Sequence, residues 1–216
     1  SGDIKGSGTL DFSSENVFKN SGWIDVGDSD ATGTLTIKGT TELKEDSELI
    51  FQLAGETKGT QYDALSFTQG VTTLGGRLRI NSTVTPTVGA TFAIITTTSL
   101  AGDFSEMLGL DLSTSLVLDY QKSGNNIELV AVTVDLQGTS SNDTLSGTSA
   151  AEIITGGAGN DIVSFVGLND TVYGQSGDDV IIADFSTFKR VDGGDGVDEL
   201  LLCLLYTSDA ADELRS

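Results

Sequence analysis

The sequence predicts an all-β protein in which a right-handed parallel β-helix is followed by a parallel β-roll. Three observations support this: alternating runs rich in Thr, Val, Leu and Ile before residue 136, a nine-residue repeat after it, and no capped segment of ten residues with helical periodicity. The predicted domains are residues 1–135, a β-helical domain with a C-terminal cap, and 136–202, the repeats. Residues 203–216 are interpreted as a non-native tail.

Short strands separated by Gly and Asn are predicted throughout residues 1–135. GTLDF at Gly8–Phe12 recurs as GTLTI at Gly33–Ile37, a spacing of about one β-helical coil. Between them, Trp23, Ile24 and Val26 indicate another strand. Further strands are predicted at Leu49–Leu53, Ala64–Phe67, Arg77–Ile80, Thr91–Thr96, Leu116–Tyr120 and Ile127–Val134. Two GTL copies are also compatible with a β-sandwich, which is the alternative for this domain.

A nine-residue frame repeats along the second domain. Its clearest copy is GGAGNDIVS at Gly156–Ser164, with glycine at positions one and two, a carboxylate at six and an aliphatic residue at eight. The other copies begin at Gly138, Gly147, Phe165, Gly174 and, after the irregular stretch Ala183–Asp192, at Gly193. Position six is Asp143, Glu152, Asp161, Asp170, Asp179 and Asp198. Position eight is Leu145, Ile154, Val163, Val172, Ile181 and Leu200.

This frame predicts a loop followed by a short strand. Glycine tolerates the backbone angles of a tight loop, and alternation along the strand turns the position-eight side chain inward. Two nonapeptides close one turn, so residues eighteen apart become neighbours. The carboxylates then form one column of Asp143, Asp161, Asp179 and Asp198, and a second column of Glu152 and Asp170 that would next meet Phe188.

Stacked carboxylates repel one another, and a cation that accepts six to eight oxygens removes this penalty. Calcium fits better than magnesium because loop carbonyls form a loose shell with many oxygens. The best predicted site lies between the loops Gly156–Asp161 and Gly174–Asp179, and binding there would drive folding. The predicted ligands are Asp143, Glu152, Gly156, Ala158, Asn160, Asp161, Asp170, Gly174, Gly177, Asp179 and Asp198. The alternative is that Gly, Asn and Asp mark polar turns only.

Residues Leu136–Leu202 resemble the haemolysin-type calcium-binding repeats, or RTX repeats, of secreted bacterial proteins, with GGAGNDIVS and GGDGVDELL as the most specific matches. The resemblance implies a parallel β-roll, calcium in its loops and export by a type I secretion machine. Three features depart from the pattern: Glu152 replaces aspartate, Phe165 replaces the leading glycine, and Ala183–Asp192 has no loop signature.

Residues Tyr62–Val132 resemble the last coils of autotransporter-like and haemagglutinin-like passenger domains. The matching segments are YDALSF, TLGGRLRI, PTVGATFAIITT and AGDF. In those proteins the pattern caps a surface-exposed β-helix. Here calcium repeats follow where a membrane barrel would be expected, which favours type I export.

The chain has 216 residues and a net charge of −21, which disfavours nucleic acid and anionic membrane surfaces as partners and favours multivalent cations. No apolar stretch is long enough to span a bilayer. With no initiating Met or signal peptide, the N-terminus is expected to be internal to a longer chain. CLLYTSDAADE at Cys203–Glu213 resembles a translated sequencing adaptor, so the single cysteine is interpreted as non-native.

No histidine is present, which removes the commonest general base from this chain. Arg77 and Arg79 alternate onto one strand face, and Tyr62 lies next to Asp63, but solvent exposure and strand packing are the simpler interpretations. We expect a secreted or cell-surface, adhesin-like calcium-binding protein with a cell-surface or polysaccharide target, and no enzymatic activity in this segment. The alternatives are an extracellular polysaccharide lyase or epimerase and, third, a toxin.

Overall fold

The computed structural model describes residues 2–14, 17–28, 31–165, 169–184 and 188–203. These residues form strands, turns and irregular segments, and no helix among them has the length and apolar character to cross a bilayer. The chain divides into two compact units, Ser1–Thr133 and Val134–Ser216. Of the interpreted non-native tail, all residues after Cys203 lie outside the described part of the chain.

In the described residues of the first unit there are sixteen strands. They are β1 (Ile4–Gly6), β2 (Gly8–Asp11), β3 (Phe18–Asn20), β4 (Trp23–Val26), β5 (Thr34–Lys38), β6 (Thr41–Leu43), β7 (Glu48–Leu53), β8 (Ala64–Phe67), β9 (Thr72–Leu74), β10 (Arg77–Ser82), β11 (Thr91–Thr97), β12 (Leu100–Gly102), β13 (Glu106–Leu108), β14 (Asp111–Ser113), β15 (Leu116–Ser123) and β16 (Asn126–Thr133). Each strand predicted in this region overlaps one of them.

Successive strands of this unit belong to three different sheets in rotation. The first sheet has the order β1-β4-β7-β10-β13, and the third has the order β12-β9-β6-β3. The second sheet contains β2, β5, β8 and β11 and ends in β16, β15 and β14. Where two strands within β1–β12 pair with each other, the pairing is parallel. This pairing is consistent with a β-helix and differs from the antiparallel pairing of a β-sandwich.

The two GTL segments form adjacent parallel strands, but their register differs from the sequence alignment. Leu10 of β2 pairs with Ile37 of β5, whereas aligning the two GTL motifs would pair it with Leu35. The shift is two residues, so each side chain remains on the same face of the sheet. The observed register and the register of the motif alignment therefore bury the same side chains of the two strands.

Antiparallel strands end the first unit. β15 pairs with β16 from Leu116↔Thr133 to Ser123↔Asn126, and β16 pairs antiparallel with β11. The parallel second sheet is therefore continued by a hairpin instead of another coil. A hairpin at this place covers hydrogen-bonding groups that would otherwise form an open sheet edge.

Aliphatic residues from successive coils stack inside the first unit. Ile24 pairs with Leu49 and Leu49 with Leu78, and all three are fully buried. Along β7 buried and half-buried residues alternate, which is the period of two expected for a strand with one face in the core.

The described part of the second unit has eight short strands in two sheets. They are β17 (Leu136–Gln137), β18 (Thr144–Ser146), β19 (Ile153–Ala158), β20 (Ile162–Phe165), β21 (Thr171–Ser176), β22 (Val180–Asp184), β23 (Arg190–Asp192) and β24 (Glu199–Cys203). Odd-numbered strands form one parallel sheet and even-numbered strands the other. Each turn of the chain therefore adds one strand to each sheet, as a β-roll requires.

The position-eight residues form the core of this roll, as predicted. Ile154, Val163, Val172 and Ile181 are buried, whereas Leu200, on the edge strand β24, is 43% exposed. Phe165, at the position of a leading glycine, is also a core residue and meets Phe188 edge to face, with ring centroids 6.3 Å apart. The departure at Phe165 therefore adds apolar packing to the roll.

Candidate metal centre

The register of the roll stacks the position-six carboxylates. Strands β18, β20, β22 and β24 are paired from their first residues. The residues immediately before these strands consequently form one column. They are Asp143, Asp161, Asp179 and Asp198, the set that the sequence predicts.

A ladder of backbone-to-carboxylate hydrogen bonds joins this column. The N–H of Asp143 donates to Oδ1 of Asp161 over 2.8 Å, and the N–H of Asp161 donates to Oδ1 of Asp179 over 2.8 Å. The N–H of Asp179 donates to Oδ1 of Asp198 over 3.0 Å. One oxygen of each accepting carboxylate thus holds the preceding loop, and Oδ2 remains for another partner.

The second column is shorter. The N–H of Glu152 donates to Oδ1 of Asp170 over 2.8 Å, which continues the same pattern. The prediction that Phe188 comes next is wrong, because Thr171 pairs with Arg190 and Lys189 therefore follows Asp170. The additional residue of this turn lies before Lys189, and Phe188 instead packs against the core.

Three carboxylates carry a buried oxygen without a hydrogen-bond donor. Asp161, Asp170 and Asp179 are each at most 1% exposed, and no donor among the described residues reaches their Oδ2 atoms. A buried carboxylate oxygen without a partner costs several kcal/mol unless a cation or donor compensates it. These three atoms are therefore the strongest structural indication of a cation between the loops.

The pKa shifts of the carboxyls in the first column also favour a bound cation. Burial raises the pKa of the Asp161 carboxyl, although the N–H of Asp143 opposes this. Burial also raises the pKa of the Asp179 carboxyl, and the charges of Asp161, Asp198 and Asp178 add to the effect while the N–H of Asp161 opposes it. Ionising either carboxyl therefore carries a desolvation cost that a bound cation would remove.

Backbone carbonyls converge on the same space. A Cβ placed on Gly156 would lie 2.5 Å from Oδ2 of Asp161 and 2.6 Å from the carbonyl oxygen of Gly174. The ladder between β19 and β21 pairs Thr155 with Tyr173 and Gly157 with Gln175, and it skips the pair between them. The glycine therefore leaves room where a carboxylate oxygen and a carbonyl oxygen approach each other.

The same arrangement recurs one turn later, where a Cβ on Gly174 would collide with Oδ2 of Asp179 and the carbonyl oxygen of Gly193. Nowhere in the described residues do three Asp, Glu, Cys or His side chains converge on one point. A cation here would consequently need carbonyl ligands as well as carboxylates. Hard cations with many oxygen ligands, above all calcium, match this donor set.

The other predicted carbonyl ligands lie in the same loops. Ala158 ends β19 and donates its N–H to the carbonyl of Thr139 over 3.0 Å. Gly177 donates its N–H to the carbonyl of Asp195 over 2.9 Å, and its backbone lies against the carbonyl of Gly159. These contacts use the N–H groups of the two residues and join successive loops of the first column.

Asn160 belongs to a second ladder that the sequence interpretation missed. Oδ1 of Asn142 accepts the N–H of Asn160 over 2.9 Å, and Oδ1 of Asn160 accepts the N–H of Asp178 over 3.1 Å. Oδ1 of Asp178 then accepts the N–H of Val197 over 2.9 Å. The recurrence of Asn or Asp at position five was the available sequence signal for this ladder.

Two threonines at position two were also missed. Thr139 donates its N–H to Oδ2 of Asp143 over 2.6 Å, and Thr148 donates its N–H to Oε2 of Glu152 over 2.5 Å. Both carboxylates are half-buried. The predicted ligands Asp143 and Glu152 are therefore in their predicted columns but have a donor at the oxygen that is unpaired in Asp161.

The residues weighed for chemistry in the first unit have structural partners. Arg79 donates to Oε1 of Glu48 over 2.6 Å, and Arg77 lies 3.7 Å from Glu106. Tyr62 is buried and meets Phe92 edge to face, with ring centroids 5.2 Å apart. The buried Asp63 accepts the N–H groups of Gly33 and Gln52, each over 2.6 Å.

Comparison with known proteins gives one match. A family model of the RTX calcium-binding nonapeptide repeat matches residues 135–164 and 167–185, in four copies. No curated protein and no solved structure gives a significant match to the chain. The matched ranges contain Asp143, Glu152, Asp161, Asp170 and Asp179, and RTX nonapeptide repeats bind calcium. Residues 135–164 and 167–185 of the roll thus match RTX repeats, and calcium is the ligand that such repeats bind.

Proposed function

We propose that this chain is part of a large secreted or cell-surface bacterial protein, adhesin-like in character, in which calcium folds the roll after export by a type I secretion machine. The observation that carries the proposal is the pair of buried, unpaired Oδ2 atoms on Asp161 and Asp179. The desolvation of these two oxygens is compensated only when a cation is bound. The free energy of calcium binding therefore contributes directly to the free energy of folding of the roll.

The charge of the chain supports folding after export. A net charge of −21 makes the calcium-free repeats self-repelling, which favours an extended chain during passage through a narrow channel. Extracellular calcium modules typically have dissociation constants on the order of 0.1–1 mM. The roll would therefore remain open in a cytosol poor in calcium and close outside the cell.

For the first unit we propose the role of a stalk in a protein whose target is a cell surface or a polysaccharide. Its parallel sheets repeat coil by coil, a construction that spans distance with a uniform cross-section. We further propose that both units wind right-handed, since crossover connections between parallel strands have this hand in about 98% of cases.

The alternative, a polysaccharide lyase or epimerase, has less support. It would use basic residues on a strand face, yet Arg79 is hydrogen-bonded to Glu48 and Arg77 faces Glu106. Carboxylates close to both guanidinium groups reduce the positive potential available to an acidic sugar.

Circular dichroism and limited proteolysis of the full chain across a calcium titration test the proposal. Strand signal and protection of residues 134–202 should rise with calcium and disappear with chelator, while magnesium at equal concentration has a much smaller effect. Fluorescence of Trp23, the single tryptophan, follows the first unit separately. A chelated roll as protease-resistant as the loaded one would contradict calcium-driven folding.

A further inference from the structure

The first two loops of the roll differ from the later ones at position two. In the loop Gly138–Asp143, Oδ2 of Asp143 accepts both the N–H of Thr139 over 2.6 Å and its Oγ1 hydroxyl over 2.8 Å. In the loop Gly147–Glu152, Oε2 of Glu152 accepts the N–H of Thr148 over 2.5 Å. Each carboxylate is thus neutralised in part by its own loop.

In two of the later loops position two has a left-handed backbone. Gly157 has φ +112° and Gln175 has φ +78°, and these residues precede Asp161 and Asp179 by four positions. Both carboxylates have a buried Oδ2 that no donor reaches. In both loops a left-handed position two therefore coincides with a carboxylate oxygen that is left for another partner.

The identity of the residue accounts for the difference. Asn169 and Gln175 are the non-glycine residues with positive φ in the described ranges, so Thr139 and Thr148 have negative φ. A β-branched residue strongly resists the left-handed region, whereas glycine enters it freely. Threonine at position two therefore keeps the N–H directed into the loop.

We propose that in the folded roll the loops Gly138–Asp143 and Gly147–Glu152 hold no calcium ion of their own, the position-two N–H taking the place of the cation, and that calcium is bound only by loops from Gly156 onward. This inference rests on the calcium binding proposed above and goes beyond it. It assigns the repeats that begin at Gly138 and Gly147 a structural role without a bound ion, which we call the capping role. The roll then binds fewer calcium ions than its number of position-six carboxylates suggests.

A matched pair of variants tests this assignment in the full chain. Asp143→Asn and Asp161→Asn carry the same substitution in the same column, and each keeps an Oδ1 acceptor for the ladder. Equilibrium dialysis with calcium should give the wild-type stoichiometry for Asp143→Asn and a loss of one or more bound ions for Asp161→Asn. An equal loss of calcium in both variants would overturn the capping role.

Nuclear magnetic resonance of the wild-type chain provides a second test that does not depend on the folding of a variant. In the calcium-loaded protein, scalar coupling through the hydrogen bond should connect the Thr139 nitrogen to Cγ of Asp143. In the same loaded sample, the Cγ resonances of Asp161 and Asp179 should show direct ion binding, whereas the coupling to Asp143 should show that its carboxylate keeps the backbone donor. Loss of that coupling in the loaded protein would refute the proposal.

The two proposals fail in distinguishable ways. If the wild-type chain binds no calcium at all, the proposed function fails. If the wild-type chain binds calcium and Asp143 proves as important to stoichiometry as Asp161, calcium-driven folding stands and the capping role alone is wrong.

Discussion

The backbone N–H of Asp161 donates to Oδ1 of Asp179 over 2.8 Å, while Oδ2 of the same Asp179 carboxylate is buried without a donor. Oδ1 therefore joins two turns of the roll. Burial of Oδ2 without a donor carries a desolvation cost, which a bound cation would remove. The same carboxylate thus stabilises the stacking of the loops through one oxygen and offers the other to a cation.

Replacing Asp161 and Asp179 by alanine should weaken calcium binding more than replacing Glu152 by alanine. The double variant removes two buried unpaired oxygens, whereas Oε2 of Glu152 already accepts the N–H of Thr148. We expect at least about a tenfold difference in the apparent dissociation constant, measured by calorimetric titration. Equal effects would contradict the assignment of the two columns.

Gln175→Gly should stabilise the calcium-loaded roll. Gln175 has φ +78°, a conformation in which a side chain is strained and glycine is not. The expected gain is about 0.5–1 kcal/mol in the free energy of unfolding, measured by denaturant titration. Gln175→Ala is the matched control and should lack the gain, because alanine retains the strain; a similar gain in both variants would exclude backbone strain as the cause.

Phe165→Gly restores the leading glycine of the nonapeptide yet should destabilise the roll. Phe165 is 2% exposed and packs in the core beside Phe188. Removing a buried aromatic ring costs about 3–5 kcal/mol, which thermal unfolding of the loaded chain would show as a lower midpoint. Ile162→Ala on the same strand, where the side chain is 43% exposed, should have little effect. A midpoint unchanged by Phe165→Gly would remove Phe165 from the core.

Asp63 should make the stability of the first unit depend on pH. Burial raises its pKa from 3.8 to about 6, although the N–H groups of Gln52 and Gly33 oppose the shift. The folded state therefore holds this proton more tightly than the unfolded state. Its contribution to the free energy of unfolding is fully present below pH 4 and falls by about 1–3 kcal/mol as pH rises to about 6.

Denaturant titrations in chelator, followed by Trp23 fluorescence, would measure this slope. Asp63→Asn should flatten the decrease between pH 4 and 6, whatever its effect on absolute stability. Asp46→Asn, at an exposed position, should keep the wild-type slope. If wild type and Asp63→Asn change in parallel over this range, the titrating group is another residue.

Strand positions were predictable where side chains alternate over four or more residues, as at Glu48–Leu53 and Ala64–Phe67. The third sheet was missed because its strands, such as Phe18–Asn20 and Thr41–Leu43, have three residues each, too few to show a period. The two-residue shift between the GTL segments was equally invisible, since both registers bury the same face.

The sequence by itself determined the period of the roll, its inward aliphatic residues and the column of Asp143, Asp161, Asp179 and Asp198, because a nine-residue frame returns equivalent residues to one side every second repeat. Tertiary structure alone decided which carboxylate oxygens have donors. That outcome depends on the backbone angle at position two, left-handed at Gly157 but not at Thr139, and on hydrogen bonds between loops that lie eighteen residues apart.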